Sequence, residues 1–135
     1  MFLLHYLIHL EEYFNYIKQI LGLKQGKIYK NLGNHAKSMY KNLSFNLTNA
    51  QINVLKEIRS DLARKSPMNR LIQGDVGSGK TIVAVLAAAI VISHGSQVAV
   101  MAPTEILAEQ HYYSFLQFCK PAKIKIALLI GNQKK

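Results

Sequence analysis

Three features of the sequence predict an α/β domain built on a parallel sheet. Apolar runs of strand length alternate with helical periodicities, and a glycine-rich loop falls between one such run and the helix after it. The runs themselves are apolar at nearly every position, which suits a sheet covered on both faces and crossed over in the right-handed sense. Only three such runs occur in 135 residues, so a layered but incomplete sheet is expected, preceded by a helical segment.

Leu3, Leu7, Leu10, Phe14, Ile17 and Leu21 recur at helical spacing, and the helix they predict stops near Gly22 to Gly26. From Lys18 to Lys41 stand six lysines and no acidic residue, interrupted by Gly22, Gly26 and Gly33, which reads as a basic linker or a short basic helix. Residues 1–44 are assigned to this N-terminal segment and residues 45–135 to the domain proper. Thr48-Asn49-Ala50-Gln51 matches a capping box, and Val54, Leu55, Ile58 and Leu62 continue a helix that Pro67 closes. Arg70 to Gln73 is the first expected strand. A helix rich in Ala and Val runs from Lys80 until Gly95 stops it, Gln97 to Ala102 returns as a strand, and Pro103-Thr104 turns the chain. Leu107, His111 or Tyr112, Phe115 and Cys119 lay out another helical face ending before Pro121, and Ile124 to Ile130 is the third expected strand.

Seventeen Lys and Arg against seven Asp and Glu leave a formal charge of +10, which fits a polyanionic partner such as nucleic acid and equally fits a chain rich in Lys and Asn throughout. The single cysteine, Cys119, excludes an internal disulfide and suits a reducing, cytoplasmic setting. The first ten residues lack a basic lead and meet Glu11 and Glu12, so no signal peptide is expected. Ile82 to Ile92 is too short to span a bilayer.

The strongest local signal is Gly74-Asp75-Val76-Gly77-Ser78-Gly79-Lys80-Thr81, which satisfies the Walker A pattern at every fixed position and lies between an expected strand and a helix. Glycines at 77 and 79 let the backbone amides converge on phosphate oxygens, and the helix that follows adds the positive end of its dipole. Lys80 is the expected contact to the β- and γ-phosphates, and the Thr81 hydroxyl the expected ligand of the bridging Mg²⁺. ATP with Mg²⁺ is therefore the expected ligand pair. A plain glycine turn has no need of Lys followed by Thr at a helix start.

The flanks carry a more specific likeness. Met68 to Gln73 entering the loop, and Met101-Ala102-Pro103-Thr104-Glu105-Ile106-Leu107-Ala108-Glu109-Gln110-His111 after the next run, resemble motifs I and Ia of the RecG-type DNA helicases of superfamily 2. Phe45 to Gln51 resembles the adenine-recognition segment of that family. The likeness covers about 45–129 and implies a partial RecA-like P-loop fold, the start of the first motor domain. It further implies that Gln51 reads adenine with Phe45 packed beside the base, and that Pro103 and Thr104 touch a DNA backbone. For Gln51 the competing role is the capping box, and for Thr104 it is capping the helix that Glu105 begins.

The resemblance implies a motor that couples ATP hydrolysis to remodelling of branched DNA in repair and recombination. No Walker B acidic pair or cleft-spanning arginine is recognised in these residues, so this chain alone is expected to hydrolyse ATP negligibly. Two other readings stay open: a stand-alone small P-loop kinase or NTPase, and a non-catalytic remnant. His5 and His9 have a zinc-binding spacing without a third ligand, and no structural metal is expected. The sequence does not settle oligomeric state.

Overall fold

The computed structural model of the chain describes residues 26–131. Among them stand four α-helices, α1 (Gly33–Lys41), α2 (Asn49–Leu62), α3 (Lys80–Ser93) and α4 (Glu105–Cys119), with a 3-10 turn at Lys120–Ala122. The helix expected over the first two dozen residues, with His5 and His9 on it, lies outside the described residues.

Helix α3 is the centre of the core. Its run of Ile, Val, Leu and Ala buries Ile82, Val83, Val85, Leu86, Ala89 and Ile90. A helix that is apolar nearly all round belongs in an interior rather than on a surface. Around it α1 contributes Ala36 and Met39, α2 contributes Ile58 and Leu62, and the end of α4 with the 3-10 turn contributes Cys119 and Ala122. The basic stretch thus holds a helix whose apolar side is part of the core, with Lys37 and Lys41 left exposed. Gly33 allows the close crossing of α1 on the end of α3: its φ is +69°, and a Cβ there would fall 2.1 Å from that of Ser93.

The helix ends follow local chemistry. Thr48 Oγ1 accepts the Gln51 N–H at 3.2 Å, and Gln51 Oε1 accepts the Thr48 N–H at 2.9 Å, closing the expected capping box. Gly95, at φ +72°, ends α3, and its N–H bonds to Ile92 O at 2.9 Å. Lys27 Nζ donates to His94 O at 2.8 Å, placing a cation at the negative end of α3. Arg70 Nε donates to Asp61 Oδ2 at 2.7 Å and its guanidinium also reaches Glu57, so the segment entering the loop is clamped to α2. The hydrogen bond to Asp61 raises the Arg70 guanidinium further above its ordinary range.

The three expected strands, 70–73, 97–102 and 124–130, carry no strand assignment, and among the described residues no helix-independent ladder joins them. A strand is a cooperative object whose N–H and C=O groups need a neighbour at hydrogen-bonding distance, and these segments do not serve as neighbours for one another. Apolar run length predicts an extended segment; it does not supply its partner. From Ile124 to Ile130 half-buried and exposed residues nonetheless alternate strictly, the two-residue period of a strand with one covered face. Val98, Val100, Met101 and Leu129 are exposed, so the double-sided cover expected of these runs is absent in the described residues.

Cys119 is 6% exposed, and burial pushes its thiol up from the ordinary value. Its folded pKa lies above its unfolded one, so the stability it contributes is present below the unfolded pKa and is lost as pH rises through the folded pKa. Alkylation by iodoacetamide at pH 8 is expected to be at least tenfold slower in the native chain than in denaturant. Equal rates would show that the α4 end is not packed as described.

Candidate nucleotide-binding site

The Arg70 clamp delivers the chain to the loop at Gly74, and α3 carries it away at Lys80. Between them Ser78 N–H bonds to Asp75 O at 3.1 Å, and Gly77 and Gly79 take φ values of +81° and +79°. That left-handed backbone is available to glycine at little cost, and it turns successive peptide groups toward one side. Gly79 is the N-cap of α3 and no side chain caps it. The first amides of α3 are thus left to a ligand, at the positive end of the helix.

Lys80 folds back over this loop. Its Nζ donates to Gly74 O and Asp75 O, each at 2.7 Å, and lies 3.4 Å from Ser78 Oγ. The ammonium therefore already stands within the loop, held by carbonyls that an anionic oxygen can replace. Gly74 leaves little room beside it, since a Cβ there would fall 2.8 Å from Ser78 Oγ. Asp75, Val76, Gly77 and Ser78 are exposed, so the loop opens to solvent. An open, glycine-shaped loop with one ammonium and free helix amides suits a polyphosphate.

Thr81 is half-buried in the first turn of α3, directly after Lys80. A single hydroxyl fits Mg²⁺, which keeps several waters and takes most of its remaining ligands from phosphate oxygens. Among the described residues no cluster of three or more His, Cys, Asp or Glu is placed to hold a metal ion.

Of the other expected site residues, the structure brings Gln51 to the loop: its Nε2 donates to Ser78 O at 2.9 Å while its Oε1 serves the capping box. Phe45 is 44% exposed, with its ring edge-on to Phe118 of α4 at 6.4 Å between centroids. Pro103 and Thr104 are exposed at the start of α4, where Thr104 Oγ1 accepts the Leu107 N–H at 3.3 Å. The capping role of Thr104 is thus realised, and its hydroxyl hydrogen stays available to a phosphate oxygen. Glu105 Oε1 accepts the Gly131 N–H at 3.2 Å, tying the start of α4 to the end of the last apolar run.

Two features escape the sequence reading. The bond from Gln51 to Ser78 spans 27 positions, and no local pattern announces it. The Arg70 clamp onto Asp61 and Glu57 is likewise set by the packing of α2 against the segment that enters the loop. The capping box had set Gln51 a choice between closing a helix and facing a ligand. A carboxamide has two N–H groups and two oxygen lone-pair sites, and here one of each is used, by Ser78 and by the cap.

Residues 48–135 match the family model described as DEAD/DEAH box helicase. The chain is also similar to proteins described as ATP-dependent DNA helicase RecG. The one from Aquifex aeolicus (strain VF5) is 58% identical over 90 residues, covering 67% of this chain and 11% of that protein. Those of Escherichia coli (strain K12) and Synechocystis sp. are 55% and 51% identical over 92 residues, covering 68% of this chain and 13% and 11% of theirs. The chain thus spans little more than a tenth of the length of the curated relatives it matches.

Proposed function

Because this chain belongs to the DEAD/DEAH box helicase family, we propose that it forms the ATP-binding start of a RecG-like DNA helicase. Residues 45–135 are the N-terminal part of its first RecA-like motor domain, and Gly74 to Thr81 hold the phosphates. The observation that carries this reading is the loop itself: Gly77 and Gly79 in left-handed backbone, an uncapped N-terminus of α3, and Lys80 Nζ drawn to within 2.7 Å of two loop carbonyls.

In binding, phosphate oxygens replace Gly74 O and Asp75 O around the ammonium, a change from hydrogen bonds with one ionised partner to hydrogen bonds with both partners ionised. The Thr81 hydroxyl would hold the Mg²⁺, which would supply positive charge to offset that of the phosphates. Gln51 and Phe45 serve the adenine, and Pro103 with Thr104 meets a DNA backbone through hydroxyl and helix-start groups that carry no sequence information. In the longer helicase the hydrolysis drives remodelling of branched DNA.

This chain contributes binding rather than turnover. Glu105 and Glu109, the acidic residues after the loop, lie on the first turns of α4, and Glu105 is occupied with Gly131. Calorimetry with Mg·ATP and Mg·GTP, paired with a phosphate-release assay with and without forked DNA, tests this reading. Binding that favours ATP, with release at background under both conditions, is expected. Steady release indifferent to DNA would overturn it in favour of a small NTPase or kinase.

A further inference from the structure

Gln51 is joined at both ends of its amide. Oε1 is tied to the Thr48 N–H at the start of α2, and Nε2 to the carbonyl of Ser78, in the middle of the glycine loop. The second bond places the amide in the space that a side chain at residue 79 would need. A Cβ at residue 79 would fall 2.4 Å from Gln51 Nε2, so glycine at this position serves the amide as well as the backbone angle.

The consequence lies in the geometry of one peptide. No cis bond occurs among the described residues, and in a planar trans peptide the C=O and the following N–H point in opposite directions. Holding the Ser78 carbonyl toward α2 therefore turns the Gly79 N–H away from α2. With glycine on its far side, and an exposed serine on its near side, this peptide meets little steric resistance to rotation. A rotated peptide would present a carbonyl where an anion needs a donor.

We infer that Gln51 is a positioning residue for the phosphate site, acting through the Ser78 carbonyl to keep the Gly79 N–H aimed at the phosphates. This rests on the reading of residues 74–81 as that site, and it is separate from any reading of the base.

The test uses a ligand with no base. Binding of Mg·tripolyphosphate and of Mg·ATP is measured by calorimetry for the parent chain, Gln51→Leu and Thr48→Ala, with circular dichroism melts to establish folding. Both variants break the capping box, but only Gln51→Leu releases Ser78. Gln51→Leu is expected to weaken tripolyphosphate roughly tenfold or more, the weight of one hydrogen bond to a charged acceptor, with Thr48→Ala close to the parent. If Gln51→Leu binds tripolyphosphate as the parent does, even with its ATP preference lost, the inference is overturned. Equal weakening by both variants overturns it too, leaving Gln51 as a cap alone. If the parent binds neither tripolyphosphate nor ATP, the phosphate-site reading itself has failed, an outcome told apart because no variant is needed to see it.

Discussion

Lys80→Ala is expected to lose Mg·ATP affinity by roughly ten- to a hundredfold, the range of a single hydrogen bond to a charged group at ~1.5–3 kcal/mol, while melting within a few degrees of the parent. The two halves of this expectation come from one fact. The side chain is exposed, and its present partners are the carbonyls of Gly74 and Asp75, which water reaches once the ammonium is gone. Exposed substitutions of this kind change stability by about 0.5 kcal/mol or less. Titration calorimetry beside a thermal melt separates the two effects. Unchanged affinity would mean that the ammonium does not face the ligand, and a collapsed melt would mean that Lys80 is structural.

Ile58→Ala is expected to destabilise the fold by ~2–5 kcal/mol, the usual cost of emptying a fully packed aliphatic site. Ile58 is 1% exposed on α2 and packs into the core that α3 centres. The same helix carries Gln51 at its start and the Arg70 partners Glu57 and Asp61 near its end. Loosening α2 therefore loosens the loop from two directions. Urea denaturation is expected to show a lower midpoint with a similar slope, and ATP affinity is expected to fall with it. A midpoint like that of the parent would contradict the placement of α2 against α3.

What was legible in the sequence was local. The glycine loop, the capping box at Thr48, the stop at Gly95 and the cap at Thr104 each depend on residues within a few positions of one another. Their physics is complete within one turn of chain, so the pattern is enough. Helices α2, α3 and α4 were readable for the same reason, from apolar spacing and end signals. The runs at 70–73, 97–102 and 124–130 were read as strands from their composition, and the alternation of burial at 124–130 keeps that trace. Their ladders depend on which segment lies beside which, and apolar spacing carries no such information.

The same division runs through the site. Lys80 and Thr81 were found by their spacing from the glycines, but the inward fold of Lys80 onto Gly74 and Asp75 was not, because a lysine's torsions are free until a loop surrounds it. Gln51 was singled out for adenine by resemblance and for the cap by pattern. Its third tie, to Ser78, exists only once α2 and the loop are packed together. Gly33 beside Ser93 is a further case, a glycine that looks like a linker residue and serves a helix crossing.

The most direct measurement is a two-dimensional NMR titration of the folded chain with Mg·ATP, followed at the backbone amides of residues 74–81 and the side-chain amide of Gln51. The account predicts that these resonances move together and saturate, with the remote end of α4 near Cys119 unmoved. Fixed resonances across the loop, in a sample whose remaining spectrum is well dispersed, would contradict it.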